Sequence, residues 1–271
     1  MLADSGRFLA SLYSPSSERP VLEALFAVES EIAASLQGGL DHTVAHIRLQ
    51  WWRDECERVA KGTPAHPLTR ALATELPAGT ALQGLSGFVD IAVWDLAAAT
   101  FETRRELTAY CERWAKAMIL PAVLHAVPDL RDAVPWVSIG HAMHEIEMLA
   151  HLPTEARAGR LRLPLEELDR IAVQTDAVAM TPWPTPLATL VGERHEALRS
   201  RLCESVRHVD GAAQPAVRGL LVWADTAWRR SRAAQRALPN APPPQRADGL
   251  GGAWHAWRSA RRAMSGRFTF I

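Results

Sequence analysis

Apolar side chains recur at helical spacing along nearly the whole chain, and this periodicity most tightly limits the fold. Leu22, Leu25, Phe26, Val28 and Ile32 lie on one stripe, with Ser17 and Pro20 at its start and Gly38-Gly39 at its end. The same reasoning predicts helices over 41–60, 67–76, 81–99, 104–127 and 135–152, and then over 165–172, 187–209, 212–238 and 251–263. Pro121 should kink the helix over 104–127, and Pro153 should break the one over 135–152. Two Asp-Gly pairs, at Asp210 and Asp248, do not separate alternating apolar runs, so they read as helix breaks rather than hairpins. The expected fold class is all-α: a single large helical bundle of about ten helices around one core.

With 271 residues, 48% of them hydrophobic and 22% charged, the chain can bury a sizeable core. Thirty basic and thirty acidic side chains cancel, which argues against a globally basic nucleic-acid binder. The cancellation hides an asymmetry. From Arg218 onward ten Arg face only Asp225 and Asp248, a net +8, so the preceding residues carry −8. Three cysteines without a C-x-x-C pair fit neither a disulfide framework nor a zinc knuckle, and a reducing compartment follows. No signal-peptide pattern or spanning apolar run is present, so the expected location is cytoplasmic, with peripheral contact at the inner membrane face. The expected organisation is a helical domain over 1–238, followed over 239–271 by a Pro-rich linker and a basic amphipathic helix.

Five segments, in order, carry a resemblance. They are Arg7–Tyr13 with Glu18-Arg19-Pro20 and Ala24–Val28, then Arg48-Leu-Gln-Trp-Trp-Arg-Asp54, His66-Pro-Leu-Thr-Arg-Ala-Leu72, Leu107-Thr-Ala-Tyr-Cys-Glu-Arg113 and Ala156–Pro164. Together they resemble the squalene/phytoene synthase family over about residues 7–205. The resemblance implies the isoprenoid synthase fold, with about ten helices around a central cavity. It also implies a reaction, the head-to-head condensation of two isoprenyl diphosphates. In that family two aspartate-rich motifs hold Mg²⁺, because a departing diphosphate develops charge that hard cations must neutralise.

The chain departs from the pattern where that chemistry should lie. The first motif falls on Ala33, Ala34 and Gln37, the second on His151 and Glu155, and neither retains an aspartate. Lys116 stands where the family has Gly, and Arg162 where it has Tyr. These losses resemble a degenerate branch, which includes bacterial phytoene synthase-like proteins and the mitochondrial complex I assembly factor with a squalene/phytoene synthase domain. No catalytic residue, metal or cofactor is therefore expected. The resemblance implies a pseudoenzyme that binds an isoprenoid or lipid-like molecule, or one that assists assembly of a membrane respiratory complex. The alternative is an active prenyltransferase whose Mg²⁺ site is rebuilt from Glu29, His144, His151 and Glu155. A third reading is an interaction module whose cavity has collapsed around side chains such as Lys116.

Candidate cavity residues are Glu29, Arg48, Trp52, Tyr110, Trp114, Lys116, His144, Glu147, Arg157 and Arg160. Each has a plainer alternative. Glu29 reads as a displaced carboxylate or a surface acid. Arg48 and Arg53 beside Trp51-Trp52 read as a phosphate anchor or as stems snorkelling from a Trp core. Tyr110 and Trp114, one turn apart, line a prenyl cavity or simply pack. His144, Glu147 and His151 share a helix face, forming a residual metal site with Glu155 or filling vacated space. Arg157 and Arg160 contact an anionic head group or only water. Cys111 reads as an apolar filler. In the last helix, Trp254 and Trp257 with Arg258, Arg261 and Arg262 fit a membrane surface, an acidic protein partner or a helix packed on the body; no nucleic-acid motif accompanies them.

Overall fold

The computed structural model describes residues 5–36, 42–76, 80–241 and 250–270. Gln37 and residues 242–249 of the Pro-rich stretch lie outside them. The order is α1 (Ser5–Tyr13), α2 (Arg19–Ala34), α3 (His42–Ala60), α4 (Pro67–Glu75), a 3-10 turn (Thr80–Leu85), α5 (Ser86–Leu96), α6 (Arg104–Ala126) and α7 (Val134–Ala150). Then come α8 (Leu152–Arg157), α9 (Leu165–Arg170), a second 3-10 turn (Thr175–Ala179), α10 (Thr185–Arg207), α11 (Arg218–Ala237) and α12 (Leu250–Met264). The described residues contain no strand, and none of their helices is long and apolar enough to cross a membrane.

Local chemistry places most boundaries. Thr103 and Glu106 form a capping box at α6, the Thr103 hydroxyl accepting from the Glu106 N–H and the Glu106 carboxylate accepting from the Thr103 N–H, each at 3.4 Å. α6 runs through Pro121 to Ala126. The break expected at Pro153 falls at His151 instead, and Pro153 sits in the first turn of α8, where its missing N–H costs no hydrogen bond. The helix expected over 212–238 starts only at Arg218, because Pro215 interrupts the ladder and turns occupy 211–217. The helix expected over 81–99 begins as 3-10 turns packed on α6.

α6 and α7 form the central pair. A Cβ at Gly140 would lie 2.6 Å from the Ala115 Cβ, so only glycine permits this approach. α10 and α11 pack on α7, α5 and α2 on α6, and α1 on α11. At the α1–α11 contact, a Cβ at Gly219 would meet the Ala10 carbonyl at 2.4 Å. Around this frame one cluster joins Leu22, Leu25, Phe88, Met118, Ile146, Leu198 and Leu221, all buried.

α12 packs on α11 and α1: Ala256 and Ala260 are buried against Val222, and the Ser259 hydroxyl donates to the buried Asp225 at 2.7 Å. Phe268 is buried as well, its N–H donating to Gln214 at 2.8 Å. The last helix is thus part of the bundle, because its small-residue face fits the groove between α1 and α11.

Candidate functional site

A partly open cavity of about 220 Å³ lies between α2, α5, α6 and α7. Three helices line it by one rule, presenting positions i, i+3, i+4 and i+7. α2 and the turn after it supply Glu29, Ile32, Ala33 and Leu36; α5 supplies Phe88, Ile91, Ala92 and Asp95; α7 and its cap supply His144, Glu147, Met148 and His151. Tyr110 and Trp114 of α6, Glu155 of α8 and Arg162 of the following loop complete the lining.

Each carboxylate on this wall faces a guanidinium. Arg7 of α1 donates to Glu29 at 2.5 Å and lies 4.0 Å from Glu147. The Trp114 indole N–H donates to the other Glu29 oxygen at 2.6 Å. Arg160 donates to Glu155 at 2.7 Å. Arg162 reaches Asp95 at 2.7 Å and Glu155 at 3.3 Å, and the Tyr110 hydroxyl donates to Asp95 at 3.0 Å. On the rim, Arg230 of α11 donates to the His151 Nε2 at 3.3 Å. The Arg160 hydrogen bond holds the Glu155 carboxyl below the usual carboxylate range despite its partial burial, and Arg162 adds to the effect. Burial and the neighbouring Asp95 push the Tyr110 phenol well up.

His144 lies on the α7 side of the wall. Its ring stacks on Trp114 at 4.5 Å between centroids and 7° between planes, and on Tyr110 at 5.7 Å and 22°. Protein atoms surround it, although part of its ring surface borders the cavity. Both ring nitrogens are sealed from water and find no hydrogen-bond partner among the described residues. Burial, reinforced by Arg7 and Arg162, lowers its pKa well below the usual histidine value, so the imidazole is neutral.

Several expected cavity residues lie elsewhere. Arg48 is exposed on α3, a helix that contributes nothing to the lining. Trp52 is buried against His66, 4.9 Å between ring centroids. That neighbourhood is structural: Glu55 accepts from the Ala65 and His66 N–H groups at 2.9 Å each and from the Thr69 hydroxyl, tying α3 to α4. Burial opposes ionisation of Glu55, yet those hydrogen bonds hold its pKa below the ordinary carboxylate value. Lys116 is exposed, because two residues along α6 from Trp114 is the opposite face. Arg157 is exposed and donates to the Ala179 carbonyl at 2.9 Å. Arg160 acts on the cavity only through Glu155.

The residues that sequence reasoning did not place here include Arg7, Asp95 and Arg162 as partners, and Ile32, Leu36, Phe88, Ile91, Ala92 and Met148 as lining. The i, i+3, i+4, i+7 spacing on α5 was the available signal for Phe88, Ile91, Ala92 and Asp95.

Among the described residues, the one group of three or more side chains whose ligand atoms could converge on a metal is Cys111, His141 and Glu145, on a neighbouring buried layer. Its carboxylate already accepts from Arg104 at 2.5 and 2.8 Å and from Arg194 at 2.7 Å. Arg194 also pairs with Glu167, so this cluster is a closed ion network joining α6, α7, α9 and α10. In the cavity, the Ala33 side chain offers no oxygen, and Glu29 and Glu155 are committed to guanidiniums. These groups do not present the open, converging oxygens that Mg²⁺ takes.

Comparison with known proteins gives a consistent picture. The family model described as squalene/phytoene synthase matches residues 2–248. A phytoene synthase from Arthrospira platensis is 26% identical over 180 residues, 59% of this chain and 57% of the relative, so the match spans under two thirds of that protein. A dehydrosqualene synthase solved in complex with ligand superposes with a TM-score of 0.74 at 16% identity, over 96% of this chain and 90% of that one. Squalene synthase HpnC from Alicyclobacillus acidocaldarius superposes with a TM-score of 0.66 at 18% identity, over 84% of this chain and 87% of its own. At these identities the superpositions show the fold alone.

Proposed function

The chain belongs to the squalene/phytoene synthase family, and within it we propose that this protein is a non-catalytic, degenerate member that holds one isoprenoid or lipid-like molecule in the remnant cavity. One observation carries the reading: the carboxylates lining the cavity are neutralised by the chain's own guanidiniums. Arg7 occupies Glu29, and Arg160 and Arg162 occupy Glu155. Internal cations stand where a divalent ion would need free carboxylate oxygens. A guanidinium tied into such pairs cannot follow a leaving diphosphate as a mobile, hydrated metal can. The wall that remains combines apolar Ile32, Leu36, Phe88, Ile91 and Met148 with the Trp114 and Tyr110 rings, a surface suited to a hydrocarbon chain.

The test is pyrophosphate release. Purified protein with farnesyl or geranylgeranyl diphosphate and Mg²⁺ or Mn²⁺ should release none above background. Robust turnover, abolished by Glu155→Ala or His151→Ala, would overturn the reading in favour of a rebuilt metal site.

A second reading, a helper in the assembly of a membrane complex, draws on α12. Trp254 and Trp257 are 54% and 40% exposed, stack at 4.9 Å, and carry Arg261 5.1 Å over the Trp257 ring. Exposed Trp beside Arg suits an anionic lipid surface. Flotation with phosphatidylglycerol vesicles should lose at least half its bound protein in the Trp254→Ser, Trp257→Ser variant; equal flotation of variant and parent would defeat this reading.

A further inference from the structure

We propose that α1 and α12 together form one docking face for an anionic lipid bilayer, with Phe8 and Leu12 of α1 entering the membrane surface beside Trp254, Trp257 and Met264 of α12. This inference rests on the membrane-surface reading of α12 and extends it to a second helix, which fixes how the molecule lies on the bilayer.

The first argument is placement. α1 runs antiparallel to α11: Ala10 approaches Gly219, while Gly6 shares a small pocket with Thr226 and Arg230 further along α11. α12 is antiparallel to α11 as well, since Ser259 bonds to Asp225 and the later Phe268 bonds to the earlier Gln214. α1 and α12 therefore lie side by side, pointing the same way, on the outside of α11. Leu9 and Tyr13 pack against the cluster of Ala256, Ala260 and Val222, which marks the seam. Helical geometry then sets what faces outward. Phe8 and Leu12 follow Leu9 around α1 toward solvent. Trp257 and Met264 follow Ala256 and Ala260 around α12, away from the Ser259 edge that meets α11. Exposure agrees: Phe8 and Leu12 are each 50% exposed and Met264 is 54% exposed. Trp254 extends the strip by one turn, stacked on Trp257.

The second argument is charge. Residues 250–270 contain Arg258, Arg261, Arg262 and Arg267 and no Asp or Glu. Asp225 beneath them is buried and answered by Arg229 and Ser259. Glu23, beside α1, accepts from Ser11 on the α2 side. The apolar strip is thus bordered by guanidiniums, and a surface of negative headgroups complements it.

The third argument is shape. Scattered single apolar side chains are normal on a protein surface, but five large ones on two adjacent helices call for a cover. Two helix crests side by side make a convex ridge, to which a fluid bilayer conforms. Trp beside Arg suits the depth where acyl chains meet headgroups, and Phe and Leu suit the acyl side. The inner side of α1 carries Arg7 to Glu29, so one helix joins the docked face to the cavity wall.

The experiment is flotation of the full chain with phosphatidylglycerol vesicles and with phosphatidylcholine vesicles. The parent should float with the first and stay down with the second. The Phe8→Ser, Leu12→Ser variant should lose about half or more of the bound protein, as should Trp254→Ser, Trp257→Ser. Ile47→Ser, which removes an exposed apolar side chain from α3, should float like the parent. Thermal melting checks that each variant keeps the bundle. Where the paired α1 variant melts early, Leu12→Gln alone makes the same test and should lose about a third. Parent-like flotation of the α1 variants, with loss in the Trp variant, overturns this inference and leaves the α12 reading standing. Equal flotation with phosphatidylcholine overturns the anionic surface and this inference with it. Absence of flotation by the parent overturns both, and a sedimenting dimer that Phe8→Ser, Leu12→Ser dissolves would then give the face to a second copy.

Discussion

Trp114 donates its indole N–H to Glu29 across 2.6 Å, joining α6 to α2 at the wall of the cavity. The same carboxylate accepts from Arg7 of α1, so one side chain ties three helices. Glu29→Ala takes the acceptor from the Trp114 indole N–H and one of its carboxylates from Arg7, which keeps Glu147 at 4.0 Å. We expect a loss of about 2–3 kcal/mol, the range for hydrogen bonds to charged groups, read as a lower urea midpoint with an unchanged slope. Glu29→Gln, which can still accept one bond, should lose about half as much.

Arg162 is buried and bridges Asp95 and Glu155. Arg162→Ala should cost about 3 kcal/mol, because Asp95 then keeps only the Tyr110 hydroxyl. The Arg162→Met, Asp95→Asn double variant removes both charges and should recover most of that loss in the same denaturation assay. Equal instability of single and double variants would show that Arg162 acts through packing rather than charge.

Stability should fall as the solution is acidified from pH 6.5. His195 is buried beside the Arg199 guanidinium, and burial, with that charge, lowers its pKa to about 4; its Nδ1 lies 3.0 Å from the Ser231 hydroxyl. His144 is lowered too. A histidine with a depressed folded pKa takes up protons more readily unfolded, so acid favours the unfolded chain below the unfolded pKa and down to the folded one. For His195 the window is about pH 6.5 to 4, with a full effect of roughly 3 kcal/mol. Urea midpoints measured across that window should drop, and His195→Gln should flatten the slope.

Removing residues 239–271 should destabilise the body. The deletion uncovers Val222 and takes the Ser259 donor from Asp225, which is buried and retains Arg229 at 2.8 Å. We expect a loss of more than about 3 kcal/mol, read by thermal melting. The paired substitution of Trp254 and Trp257 leaves that buried face intact and should hardly move the melting temperature, so it is the cleaner probe of surface binding.

Most of the helical architecture was legible in the residues alone. The stripe from Leu22 to Ile32 predicted α2 within two residues of its end, and the 41–60, 67–76 and 104–127 helices lie within a residue of prediction at each end. Legible too were Glu29, Tyr110, Trp114, His144 and Glu147 as lining candidates, because helical spacing assigns side chains to faces. Not legible were the length of α5, the displacement of Lys116 to the outer face of α6, and the structural role of the Trp52–His66 segment.

The sequence by itself determined that the chain is helical and where most helices start and stop. Periodicity, caps and prolines act within a few residues, so they are written locally. Only the tertiary structure decided that Arg7 answers Glu29, that Arg162 answers Asp95, that the His144 ring stacks on Trp114, and that α12 closes onto α11. Those relationships join positions 22 to 67 residues apart, and helix packing sets them. No local pattern encodes which distant guanidinium will fold against which carboxylate.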